Sequence, residues 1–181
     1  METLPDLLEP DLDILSIGIN PSIYSVERGF YFARPQNRFW KALNGSRLVP
    51  EPLVPGIEAM RTLLERDRIG FTDVVKRPTP MARELAKEDW FSGARELREK
   101  IARFAPRVLW FHGKTALGGY LRGNGGPKIE LDLGRLPERI EGRIVFVTPS
   151  SSPANAACSL AELTRRYDEL AELRSVLRGV G

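Results

Sequence analysis

The stretch DLDILSIGINPSIYSVERGFYFARPQNRFW, Asp11 to Trp40, decides the fold. Its opening, DLDILSI, has the length and composition of a buried strand. Gly18, Asn20 and Pro21 then close that strand. Glycine permits close approach to the backbone, and proline removes a donor and fixes φ. Between them Asn20 sits on a stiff frame, either as a turn cap or as an amide that holds a water against a polar ligand. From Ser22 to Trp40 follow aromatics, arginines and small polar groups. Connections are normally short, and a long aromatic segment on a strand end is more often a site than a connector.

Outward from that strand the pattern repeats. Leu12–Ile19, Ile69–Val75, Val108–Phe111 and Arg143–Thr148 are short apolar runs without clean alternation, as expected of strands buried on both faces. Lys128–Leu133 alternates and reads as an edge strand or hairpin arm. Helices are expected at Asn37–Leu43, Ile57–Arg66, Ser92–Phe104, Lys114–Leu121 and after Ser159. Ala94, Leu97, Ile101 and Phe104 make one apolar stripe, and Ser159 with Glu162 makes a capping box. Strands alternating with helices predict an α/β fold in one domain. It would be a three-layer sandwich whose central, mostly parallel four- to five-stranded sheet is flanked by helices. Ligands of such sheets bind beyond the carboxyl ends of the strands. That rule selects Gly18 onward, Asp73 onward and Thr148 onward.

Composition narrows the chemistry. The chain has 181 residues, one cysteine and one histidine. Cys158 alone excludes an internal disulfide and a four-cysteine cluster, and His112 alone leaves little room for His-based metal sites or a Ser–His–Asp triad. No metal or cofactor is expected. The net charge of +3 permits nucleic-acid binding without demanding it. No apolar run approaches the ~20 residues of a membrane span. METLPDLLEPD is acidic and lacks a signal-peptide pattern, so a cytoplasmic protein is expected, working as a monomer. GINPSI does not fit the G-x-G-x-x-G of a dinucleotide-binding oxidoreductase.

Phe30, Tyr31 and Phe32 are core anchors or a stacking platform for a flat heterocycle. TPSSSPANAACS, Thr148–Ser159, is a Ser/Pro loop before a capped helix or a phosphate-binding loop. Taken together, G-I-N-P, F-x-F-A-x-P-x-N-R-F-W, G-F-T-D-V-V-x-R-P-T, F-H-G-K and T-P-S-S-S, in this order and spacing from about Leu12 to Tyr167, resemble the mismatch-specific uracil/thymine-DNA glycosylase family.

The resemblance implies, with a non-catalytic mismatch-binding protein of the same fold as the alternative, a DNA-repair hydrolase without cofactor. It would act on double-stranded DNA holding G·U, and G·T as a further candidate, by flipping the base out of the helix. Asn20 would position the attacking water. Gly18, Ile19, Pro21 and Ser22 would form the base pocket, with Phe32 stacked on the base. Lys114, Ser150 and Ser151 would hold phosphates. Ser152, Pro153, Ala154 and Asn155 would supply the wedge facing the opposite guanine. The branch with a catalytic aspartate in the first motif and a histidine in the second does not fit Asn20. The chain departs from the family in three places. Ser22 stands where glycine is usual, the wedge lacks a large apolar or arginine plug, and Asp73 replaces an amide or lysine. Asp73 is then a solvated turn residue, an ion-pair partner of Lys76 or Arg77, or a second catalytic group that orients or partly deprotonates the water.

Overall fold

The computed structural model of the chain describes residues 1–179. Strands β1 (Ile14–Gly18), β2 (Ile69–Asp73), β3 (Val108–His112) and β5 (Ile144–Thr148) run parallel. Each is buried along its whole length, which is why none alternates. The spatial order is β2-β1-β3-β5-β4, with the two-residue β4 (Gly134–Arg135) antiparallel on the edge. This is the expected mostly parallel sheet, but the edge strand is displaced. Lys128–Leu133 is unpaired because Ile129, Leu131 and Leu133 turn inward onto the apolar layer instead.

Helices α2 (Phe39–Gly45), α3 (Ile57–Glu65) and α6 (Leu160–Leu177) cover one face of the sheet. Helices α4 (Lys87–Phe104) and α5 (Lys114–Gly123) cover the other, completing three layers. On α6 the apolar face of helical spacing, Leu163, Tyr167, Leu170 and Leu173, is buried with Leu177 half-buried at its end, and Ser159 Oγ accepts from the Glu162 amide at 3.1 Å. Helix α4 starts five residues before the expected Ser92. Asp89 accepts from the Ala86 amide at 2.7 Å, and Glu88 and Asp89 place acid at the positive end of the helix. Gly119 is needed where α4 and α5 meet: a Cβ there would lie 2.0 Å from the Trp90 ring.

The segment read as a loop after β1 contains a helix, α1 (Ile23–Arg28). Ser22 explains it. Its Oγ accepts from the Ser25 amide at 3.1 Å, and Gly29 ends the helix at φ 80°. So Ser22 is a cap, a role glycine fills less well.

The chain leaves β1 for β2 on one side and then crosses to β3 on the other. Adjacent connections diverge there, which puts the topological switch point of the sheet at the carboxyl ends of β1 and β3. No helix among the described residues is long and apolar enough to cross a membrane.

Candidate active site

Side chains alternate across a sheet, so residues two apart share a face. The register therefore puts Asp73, Gly18, His112 and Thr148 side by side at the carboxyl edge, on the face covered by α2, α3 and α6. Gly18 is the gap in this row. A Cβ there would lie 2.5 Å from Asp73 Oδ1, so the group that needs Gly18 to be bare is the Asp73 carboxylate itself.

Asp73 is only 5% exposed, and no group among the described residues hydrogen-bonds its Oδ2. It is neither a solvated turn residue nor a partner of Arg77, which pairs with Asp89 at 2.7 Å. Lys76 Nζ stands 3.6 Å from Asp73 Oδ2, close enough for charge attraction but too far for a hydrogen bond. Lys76 is held off by better partners, Asp6 Oδ1 at 3.0 Å and the Tyr31 hydroxyl at 3.0 Å. Burial pushes the Asp73 carboxyl up to about 6, against the pull of Lys76 and with the help of Asp6. A carboxylate that titrates there can take a proton near neutral pH.

Asn20 follows one residue pair further along, since the Val75 amide still bonds the Ile19 carbonyl at 2.9 Å. Its Nδ2 donates to the Arg77 carbonyl at 2.9 Å and to Thr79 Oγ1 at 2.8 Å. Thr79 spends its own proton on the Met81 carbonyl at 2.8 Å. Both amide protons are thereby committed, the amide is locked, and Oδ1 is the atom left to accept from a water. Thr79 lies in the R-P-T of the third motif, so the sequence signalled the position without revealing its partner.

Phe32 takes a left-handed φ of 57°, rare for a bulky residue. Its ring stacks on Phe39 at 4.2 Å and tilts against His112 at 5.0 Å. Its neighbour Tyr31 is a buried core residue whose hydroxyl donates to the Pro5 carbonyl at 3.0 Å. Of the three aromatics, Tyr31 is an anchor, and Phe32 is half-buried beside the Gly18 row.

The β3–α5 and β5–α6 loops meet in an open cleft of about 580 Å³ whose walls include Gly113, Lys114, Ser150 and Asn155. The expected phosphate residues Lys114 and Ser150 are thus neighbours. Ser151 is not with them: it is 2% exposed, tucked under the loop while its carbonyl accepts from the Arg38 amide at 3.1 Å. Arg38, by its charge, could serve the same surface. Instead its guanidinium donates to the carbonyls of Cys158, Ser152 (3.1 Å) and Asn155 (2.9 Å), clamping the loop. Within that loop Ser152 Oγ accepts from the Ala154 amide at 3.2 Å, and Asn155 Nδ2 donates to the Ser150 carbonyl at 3.1 Å. Pro153 and Ala154 form the exposed tip. A second open cleft, of about 500 Å³, is lined by Asp6, Glu96, Lys100 and Arg103 and holds none of the expected site residues.

His112, though part of F-H-G-K, was not among the expected site residues. It is 5% exposed and lies beside Gly18 in the row. Its Nε2 is 2.7 Å from Ser16 Oγ, and burial pushes it down to about 3, so the ring is neutral.

Two comparisons bear on this arrangement. The family model described as the uracil DNA glycosylase superfamily matches residues 5–174. A solution NMR structure of a "putative Uracil DNA glycosylase" from Methanosarcina acetivorans is 26% identical, with TM-score 0.59 over 98% of both chains.

Proposed function

The chain belongs to the uracil DNA glycosylase superfamily, and from that premise we propose that it removes uracil from G·U mismatches in double-stranded DNA. Thymine and other damaged pyrimidines opposite guanine are the further candidate substrates. The observation that carries the reading is the locked amide of Asn20. Its two donors are consumed by Arg77 and Thr79, its acceptor takes no hydrogen bond among the described residues, and Asn20 lies two residues past Gly18, the strand partner of the buried Asp73.

In this reading the extruded base enters over Gly18, meets the backbone of Ile19 to Ser22 and stacks on Phe32. The C1′–N1 bond breaks with its electron pair going to N1 of the base. The sugar becomes an oxocarbenium-like cation, which the negative charge of Asp73 favours. A water held by Asn20 Oδ1 adds to C1′, and its proton passes to Asp73, leaving an abasic site and the free base. General-base help of this kind is worth about 10²–10⁴-fold.

Lys114 and Ser150 serve the phosphates. Arg38 and Ser151 brace the loop that bears the tip Pro153–Ala154, and the tip is the wedge. The exchange of a base for a small tip at a mismatch is helped by the low cost of unpairing there.

The test is a panel of duplexes holding G·U, A·U and G·T, with single-stranded uracil, each incubated with the protein and then cleaved with alkali. Breaks at G·U well ahead of A·U support mismatch-directed uracil removal. Equal rates on all uracil substrates would withdraw the mismatch specificity and leave the glycosylase.

A further inference from the structure

We infer that His112 reads the extruded base: its Nδ1–H donates to the 4-carbonyl oxygen of the ring, and Ser16 fixes the tautomer that makes this possible. The inference rests on the glycosylase reading and adds a specificity residue to it.

Burying a polar atom without a partner is costly, and such atoms call for an explanation. Two atoms at this edge are in that state among the described residues, Asp73 Oδ2 and His112 Nδ1. They belong to the strands on either side of β1, so they flank the bare Gly18. The ring of Phe32 lies against His112 at 5.0 Å. A base that stacks on Phe32 over Gly18 therefore comes up against the imidazole.

The polarity of Nδ1 follows from counting protons. Ser16 is 1% exposed, and its Oγ has no partner among the described residues but His112 Nε2, at 2.7 Å. If Nε2 carried the ring proton and donated to Ser16, the serine proton would have no acceptor and Nδ1 would be a bare lone pair. Two groups would go unmet. If the serine donates to Nε2, the ring proton is on Nδ1, and only that donor is unmet. The second arrangement is the cheaper one. It presents a donor to the base. A carbonyl edge, as in uracil or thymine, accepts from it, while the exocyclic amino group of cytosine would set donor against donor. Trp110 at 4.3 Å and Phe39 at 5.8 Å pack the ring in place.

The chain has one histidine, so ¹⁵N-histidine labelling reports on His112 alone. The expected spectrum has the proton on Nδ1 and the ring neutral from pH 5 to 8. The Nδ1 signal should shift on binding a duplex with uncleavable 2′-fluoro-deoxyuridine opposite guanine, and should stay put with fully matched DNA. A proton on Nε2, or an unmoved Nδ1 signal in a duplex that demonstrably binds, would overturn the inference and leave the glycosylase reading intact. Failure of that duplex to bind at all would defeat both.

Kinetics give a second readout. 4-Thiouracil keeps the ring and N3–H but replaces the 4-oxygen with a weak acceptor. Single-turnover release of uracil and 4-thiouracil is compared within each preparation, so the folded fraction cancels. His112→Phe keeps the aromatic packing and should lower the uracil/4-thiouracil ratio several-fold, up to about tenfold, the worth of one neutral hydrogen bond. His112→Gln restores a donor and should hold the parent ratio. An unchanged ratio in His112→Phe would mean the ring only packs.

Discussion

Replacing Asp73 with asparagine removes a buried charge and keeps the shape of the side chain. Two quantities should then move in opposite directions. The first is stability. Burial raises the Asp73 carboxyl from 3.8 to about 6. In the unfolded chain the group ionises near its ordinary value, so between those two pH values the folded state holds the extra proton. Stability therefore falls as pH rises through that window. The penalty is absent below about pH 4 and complete above about pH 6. A displacement of about two units, at 1.36 kcal/mol each, is about 3 kcal/mol. This is an upper figure, since a buried amide has its own desolvation cost. Asp73→Asn should thus match the parent at pH 4 and gain up to about 6–12 °C in Tm at pH 8, for a chain of this size. Lys76 keeps Asp6 at 3.0 Å and is not orphaned by the change. The second quantity is rate. Cleavage of G·U should fall at least about tenfold, and the limb near pH 6 in the parent's pH profile should vanish, while DNA binding stays near normal. Melting at pH 4, 6 and 8 and single-turnover cleavage over the same range measure both. A variant less stable than the parent at pH 8 would mean that Lys76 makes the carboxylate net favourable. A variant cleaving at the parent rate while Asn20→Ala is inactive would make Asp73 an ordinary strand-end carboxylate.

Three further outcomes are expected. Thr79→Val removes the hydroxyl that fixes one Asn20 amide proton while the Arg77 carbonyl still holds the other, so single-turnover cleavage should drop about tenfold with DNA affinity unchanged, less than the ~10²-fold loss of a whole catalytic group; an unaltered rate would free Asn20 from Thr79. Phe32→Ala should weaken base binding by about 1–3 kcal/mol, seen as a raised Kd for uncleavable G·U analogue over matched DNA. Unfolding of that variant would make the ring a core anchor. Lys114→Ala should weaken binding to all duplexes alike and reduce the slope of log K against log salt by about one, whereas an unchanged slope would remove Lys114 from the phosphate surface.

Much of this architecture was legible in the sequence because burial on both faces leaves a plain mark. The four parallel strands are mostly apolar runs without clean alternation, and the α6 stripe has helical spacing behind a capping box. What was hidden depended on partners distant in the chain. Arg38 looks like a phosphate-binding arginine until the fold folds three loop carbonyls around it. Ser151 looks exposed in a run of serines, and only tertiary packing shows that it points inward. Helix α1 is six residues long, too short for periodicity to declare. His112 stands in the F-H-G-K motif, but its meaning comes from Ser16 on the neighbouring strand β1, 96 residues earlier. Asp73 was visible as a departure from the family pattern, but the gap at Gly18 that receives it is a matter of register.

The central claim is that the site breaks a glycosidic bond with a positioned water and needs no metal. It is tested most directly by incubating the protein with a G·U duplex in EDTA and weighing both products by mass spectrometry. The account predicts free uracil and abasic strand in equal amounts. Tight binding to the mismatch with the strand mass unchanged, or activity lost in EDTA and restored by zinc, would contradict it.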